Sequence, residues 1–294
     1  MHFATRIVRP PFEARSTFLQ VTTGCSHNKC RFCSYYKNIP FTISNKDHIK
    51  EDLKELRDSG NSFKRIWLQG ADPFGLDCDR LCEIASLIHE YLPFVQSIGA
   101  YARVDSLKNK SVKDLKRLKR KGYESIVFGV ESGDDNILNS MNKGYDSQEI
   151  IPELSKMDEA QIKYTLIFLS GLGGQDYGNS HAIKTAQIFN KLHPERIMIN
   201  ELMINKNTPL YEDVSGDRFV ETYEKEKILE LIKFLEELDV ETFIDATNAS
   251  VITPFFGKFP ENRQAMIKHL IQIHQTNLEK DLHKKREKVN RTLN

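Results

Sequence analysis

An alternation along the chain narrows the possible folds more than any other feature. Short runs rich in β-branched and apolar side chains recur between longer amphipathic stretches. The pair repeats about six times at roughly thirty residues each, the size of a βα unit. A parallel sheet accounts for this, because neighbouring parallel strands can be joined only through a crossover, usually a helix. The expected strands are 17–22, 65–68, 95–102, 125–129, 163–169 and 196–200, and the expected helices 46–59, 81–91, 112–121, 147–156 and 180–191. Gly60 stands where a left-handed helix cap costs least. The arrangement implied is an α/β fold, an incomplete (β/α)6 TIM-like barrel with a helical C-terminal extension.

Past Leu210 the alternation fades into a charged helix at 221–238, a short strand at 241–246 and a helix from about 261 onward. The domains expected are an N-terminal arm (1–11), a core barrel (12–210) and a C-terminal region (211–294) that closes the substrate side and ends in a basic helical tail. The last fifteen residues, 280–294, are basic and poor in large apolar side chains, which reads as a solvated helix end or a loose tail. Residues Asn205, Asn207, Thr208 and Tyr211, and the loop holding Asn248, Ser250 and Thr253 up to Phe255-Phe256-Gly257, are candidates for the substrate side or for ordinary capped turns.

Charge excludes little. Forty-two Lys and Arg face 41 Asp and Glu, so nothing global favours nucleic acid or an anionic membrane as partner. Residues 1–11 lack an apolar signal core, and no run approaches the roughly 18 apolar residues of a membrane span. The expectation is a cytoplasmic protein with no membrane partner. Five cysteines, three of them within nine residues, suit ligation in a reducing compartment better than a disulfide framework.

The chemistry concentrates in residues 24–33, Gly-Cys-Ser-His-Asn-Lys-Cys-Arg-Phe-Cys, directly after the first expected strand. A parallel barrel presents its functional loops at such positions. Thiolates from Cys25, Cys30 and Cys33 can each bind one iron of a four-iron cluster and leave the fourth open to a small molecule. Lys29, Arg31 and Lys37 lie near enough in sequence to offset part of the cluster's negative charge. With His27 the same thiols also suit a structural zinc site. Cys78 and Cys82, one helical turn apart, are either ligands of a second cluster, a redox pair, or buried thiols, the last being commoner.

These residues, with four later loops, resemble the radical S-adenosylmethionine (SAM) superfamily, in the branch of the elongator catalytic subunit, the methylthiotransferases and the oxygen-independent coproporphyrinogen oxidases. The resemblance rests on Phe32 before the last cysteine, Gly70-Ala71-Asp72-Pro73 where the family has Gly-Gly-Glu-Pro, Arg103 and Asp105, Gly129-Val130-Glu131-Ser132-Gly133, and Ser170-Gly171-Leu172-Gly173-Gly174. Each follows an expected strand.

The resemblance implies a [4Fe-4S] cluster on Cys25, Cys30 and Cys33, with SAM on its open iron. It implies Asp72 on the SAM amino group with Gly70 and Ala71 beside it, Arg103 on the carboxylate with Asp105 nearby, and Glu131 and Ser132 on the ribose. Gly171 and Gly173, with the backbone at Leu202, would lie on the adenine side. The expected reaction is reductive cleavage to a 5′-deoxyadenosyl radical that abstracts hydrogen from a substrate, supported by a reductant such as flavodoxin or ferredoxin.

Four residues separate the first two cysteines, where three is the commonest family spacing, and Tyr35 stands where coproporphyrinogen oxidases have a further cysteine. With 24 residues before Cys25 and no cysteine after Cys82, corrinoid, methylthiotransferase and auxiliary-cluster domains are not expected. Modification of RNA is an alternative reaction within the class. Outside it stand an iron-sulfur electron carrier or sensor, and a structural zinc protein.

Overall fold

The computed structural model describes residues 1–4 and 6–293; Thr5 of the expected arm and Asn294 of the expected tail lie outside the described residues. The chain opens with β1 (Thr17–Gln20), β2 (Thr22–Thr23), β3 (Thr42–Ile43), α1 (Lys46–Asp58), β4 (Arg65–Gln69), α2 (Cys78–Tyr91), β5 (Ser97–Ala102) and α3 (Val112–Arg120). It continues with β6 (Ile126–Glu131), α4 (Asp135–Ser140), α5 (Ser147–Glu159), β7 (Tyr164–Ser170), α6 (Gly174–Phe189) and β8 (Arg196–Glu201). It ends with α7 (Pro209–Ser215), α8 (Glu224–Glu237), β9 (Thr242–Ala246), β10 (Phe255–Phe259), α9 (Arg263–Thr276) and α10 (Glu279–Leu293). Among the described residues the main sheet has eight strands in the order β1-β4-β5-β6-β7-β8-β9-β10 and is mostly parallel, which is the α/β class expected.

Contacts divide the chain into two units, residues 1–28, 36–129 and 152–165, and residues 29–35, 130–151 and 166–294. In the first, β1 pairs in parallel with β4, Thr17 opposite Ile66, and β4 with β5, Ile66 opposite Ile98. Strand β4 is buried from Ile66 to Gln69, so its apolar run is continuous rather than alternating, as a strand covered on both faces requires. Trp67 is core as the sequence suggests, fully buried and edge-on to Tyr101. Helix α1 starts at Asn45, whose side chain accepts the Asp47 N–H, and buries Ile49 and Leu53 one turn apart. Helix α3 starts with a reciprocal capping box between Ser111 and Asp114 and buries Leu115 and Leu118. Glu13 accepts three hydrogen bonds from Arg65, fastening the segment before β1 to β4.

In the second unit β8 pairs in parallel with β9, Ile197 opposite Ile244, and β10 lies antiparallel on β9, Phe255 opposite Ala246. Phe168 stacks on Phe234 at 4.3 Å, packing β7 against α8.

Five expectations change. The first strand stops at Gln20, and Thr22 and Thr23 turn away to pair antiparallel with β3. Residues 255–257 form a strand, β10, with Phe255, Gly257 and Phe259 inward and Phe256 exposed; the glycine between aromatics disguised the period-two pattern. An unforeseen short helix, α4, starts at Asp134, whose side chain accepts the Asn136 N–H. Helix α6 begins at Gly174, six residues early, so the glycine-rich segment ends in a helix rather than a loose loop. Residues 280–293 are neither loose nor wholly solvated, because α10 buries Leu282 completely and Arg286 almost so.

Candidate active site

Cys25 belongs to the first unit. Gly24 before it has φ +62°, and a Cβ there would press on the Pro40 and Ile39 carbonyl oxygens at 2.6 and 2.7 Å, so only glycine makes this bend. Asn28, also left-handed at φ +46°, returns its N–H to the Cys25 Sγ at 3.4 Å.

Asp72 follows β4 and is 3% exposed. Its Oδ2 accepts from Ser26 Oγ at 2.9 Å and Ser106 Oγ at 2.6 Å, and its Oδ1 from the Arg103 N–H at 3.1 Å. Burial pushes its carboxyl up, and these donors pull it back. Asp72 thereby ties the residue after Cys25 to the end of β5, a job the motif alone did not reveal. The Arg103 guanidinium forks onto Asp105, Nε and Nη2 each 2.9 Å from a carboxylate oxygen. A Cβ at Gly70 would overlap Thr22 Oγ1, so that glycine serves the protein's own packing. Ala71 donates its N–H to the Gly24 carbonyl at 3.4 Å. Cys78 is pushed up to about 11 by burial and by Cys82, a thiol poorly suited to ligation or exchange at neutral pH.

Cys30 and Cys33 belong to the second unit, Cys30 buried and Cys33 half-buried. Between them Arg31 is held three ways. Its N–H donates to the Met141 carbonyl at 3.0 Å, its carbonyl accepts the Leu210 N–H at 3.0 Å, and its guanidinium pairs with Asp213 on α7. This corrects its reading as a cation free to offset cluster charge, because the Asp213 carboxylate already neutralises it. Phe32 packs on Ile137, Met141, Leu169, Leu172, Leu202 and Leu210.

At the end of β6, Glu131 has φ +71°, an outlier for a residue with a side chain. The Lys143 ammonium, itself nearly buried, lies 3.8 Å from its carboxylate and above the rings of Phe32 and Tyr145. Burial pushes the Glu131 carboxyl up, while Lys143 and His181 pull it down. Ser132 is fully buried, and its Oγ accepts the Asp134 N–H at 3.0 Å, a turn-stabilising role that the sequence did not suggest. The Ser170 Oγ–H and Gly171 N–H both donate to Glu230, and Leu202 donates its N–H to the Ser170 carbonyl. A Cβ at Gly171 would come 3.0 Å from Lys227 Cε, and one at Gly173 2.9 Å from Tyr177 Cβ.

Lys143, Asp213, His181, Glu230 and Arg286 escaped the sequence reading. They are single polar residues outside the motifs at the strand ends, with no spacing to mark them. Among the described residues no three His, Cys, Asp or Glu side chains surround a point where a single metal ion would sit. A cubane takes one thiolate per iron and asks for a different spacing.

Comparison with known proteins places this geometry. An uncharacterized protein of Methanocaldococcus jannaschii is 25% identical over 83% of this chain and 78% of its own length. The heme chaperone HemW of Bacillus subtilis is 22% identical over 64% of this chain, which spans 50% of HemW. The structure of Elp3 from Methanocaldococcus infernus superposes with TM-score 0.52 at 15% identity, over 87% of this chain and 63% of that one. The family model for the Radical SAM superfamily matches residues 19–185, more than half of the chain. The chain therefore belongs to the radical SAM superfamily, whose enzymes use a [4Fe-4S] cluster and SAM.

Proposed function

We propose that Cys25, Cys30 and Cys33 ligate the [4Fe-4S] cluster and that the ends of β4, β5, β6 and β7 hold SAM. What carries the reading is the C-x4-C-x2-C loop that follows β1, in a chain of this family. The donor set fits the group: thiolates are the usual ligands of such clusters, and the Asn28 N–H already points at the Cys25 sulfur, the kind of hydrogen bond that tunes cluster potential. Glu131 fits as well, since a half-buried carboxylate on strained backbone, with Lys143 3.8 Å away, keeps acceptor capacity for a pair of hydroxyls. When bound, cluster and SAM together supply reductive cleavage of SAM and a 5′-deoxyadenosyl radical for hydrogen abstraction.

The chain's own part is to orient and shield. Glu131 accepts from the ribose hydroxyls. Lys143 offers the SAM carboxylate a cation close by, which Arg103, forked onto Asp105, does only by exchanging partners. Asp72, with three of its acceptor sites filled, keeps Ser26 and the β5 end in place beside the SAM amino group. The buried apolar cluster against Phe32 excludes water. A small electron-transfer protein such as flavodoxin or ferredoxin is the reductant, and a loop of cluster-ligating cysteines suits a cytoplasmic setting. No helix among the described residues is long and apolar enough to cross a membrane.

The test is cluster loading and SAM binding on protein reconstituted with iron and sulfide. Each of Cys25→Ala, Cys30→Ala and Cys33→Ala is expected to lose most of its iron, and Glu131→Ala and Lys143→Ala to load fully yet bind SAM at least tenfold more weakly. Full iron loading in the cysteine variants, or unchanged SAM affinity in Glu131→Ala, contradicts the assignment.

A further inference from the structure

His181, on α6, is completely buried, and both of its ring nitrogens face oxygen atoms. Nε2 is 3.1 Å from the Glu131 carbonyl oxygen, which can only accept, so that nitrogen carries a proton. Nδ1 is 2.7 Å from Glu230 Oε1 on α8. The other carboxylate oxygen, Oε2, accepts from the Ser170 Oγ–H at 2.6 Å and the Gly171 N–H at 2.7 Å. The imidazole is braced against Phe168, 4.6 Å between ring centroids. One pair of side chains, from two helices, therefore fastens the last residue of β6 and the last residue of β7.

The attachment points are telling. Glu131 is the residue with the left-handed backbone, and a bond to its carbonyl oxygen resists relaxation of that peptide toward ordinary strand geometry. A carboxylate and an imidazole are costly to bury, and an apolar pair of similar volume would pack the core at no such cost. Among the described residues, every hydrogen bond this pair makes beyond its own ends on Glu131, Ser170 or Gly171.

We propose that His181 and Glu230 are positioning residues that hold Glu131 and the Ser170–Gly171 turn in the geometry that binds SAM. The proposal rests on the reading that these strand ends form the SAM site. His181 sets the direction of the Glu131 carboxylate through its backbone, and Glu230 sets the turn that faces the adenine. Neither touches SAM.

The measurement is SAM affinity of cluster-loaded protein, by equilibrium dialysis, together with the change SAM produces in the EPR spectrum of the reduced cluster. His181→Phe keeps the ring contact with Phe168 but cannot donate, and Glu230→Leu keeps much of the volume but cannot accept. Both are expected to bind SAM at least tenfold more weakly with iron content at the wild-type level, and to show a diminished EPR response. Glu230→Gln can donate to a neutral imidazole and still accept from Ser170 and Gly171, so it is expected within threefold of wild type. His181→Phe combined with Glu131→Ala is expected to be no weaker than Glu131→Ala alone, since both act through one carboxylate.

Wild-type affinity in both His181→Phe and Glu230→Leu overturns the proposal while leaving the site intact. Additive losses in the double variant overturn action through Glu131. Wild-type affinity in Glu131→Ala alone overturns the underlying site reading instead. Should His181→Phe fail to load iron, the contrast between Glu230→Leu and Glu230→Gln decides: equal affinities contradict the proposal.

Discussion

Asp213 shows how one carboxylate can steady a loop that carries cysteines. It receives Arg31 on one oxygen and Arg218 on the other, and these guanidinium groups hold its carboxyl below the ordinary range. A depressed carboxyl contributes stability that is present above its unfolded pKa and is lost as pH falls through the folded one. The loss from this pair therefore begins near the ordinary aspartate value of about 3.9 and runs to lower pH. Asp213→Asn is expected to cost about 1–2 kcal/mol at neutral pH, reduced by the partial exposure of Arg31, and to flatten the acid limb of stability. Urea titrations at pH 7 and pH 3 measure both. The cysteines of α2 make the opposite case. With its thiol at about 11, Cys78 is expected to resist iodoacetamide at pH 7.5, and Cys78→Ala with Cys82→Ala to load the same iron as wild type. A fall in iron per chain would restore the second-cluster reading.

At the level of elements, α10 works as a strap within the second unit. Arg286 is 2% exposed; its guanidinium reaches Glu201 at the end of β8, Glu224 at the start of α8 and the Ser250 carbonyl, and burial pushes it down to about 10. Seven residues earlier, Glu279 accepts the N–H groups of Glu224 and Lys225 and so caps α8. Arg286→Ala leaves the buried Glu201 carboxylate without its cation and Glu224 with Lys227 alone, and is expected to cost about 3–5 kcal/mol, read as a lowered urea midpoint. A change below 1 kcal/mol would mean the strap is not structural. The sequence makes this helix look like a basic tail, because its partners lie 62 and 85 positions away in the chain. Local patterns served better elsewhere: the amphipathic stretches expected at 46–59 and 112–121 are α1 and α3, and the apolar runs of β4 and β7 stand out because both strands are buried throughout or nearly so. Strand β10 was missed since Gly257 interrupts its aromatic alternation, and the early start of α6 since Gly174, at φ +61°, resembles a loop.

For the whole molecule, the α/β class and the family were legible, because each depends on residues close together in sequence: a strand, the loop after it, and a motif in that loop. The supporting residues were not, because Lys143, His181, Glu230 and Arg286 act on strand ends that other parts of the chain provide. The same division bears on substrate. Loop 247–254 is tied through Ser250 and the Ile252 N–H to Glu201, so Ser250 is committed to holding the β8 end.

The central claim is that this chain cleaves SAM with a cluster held by Cys25, Cys30 and Cys33. Its most direct measurement is 5′-deoxyadenosine formed from SAM by anaerobically reconstituted, dithionite-reduced protein, against the variant with all three cysteines changed to alanine. The account predicts 5′-deoxyadenosine that appears only with the wild-type cysteines. A fully loaded cluster that binds SAM and releases none, with candidate substrates present, would contradict it and favour an electron carrier or sensor.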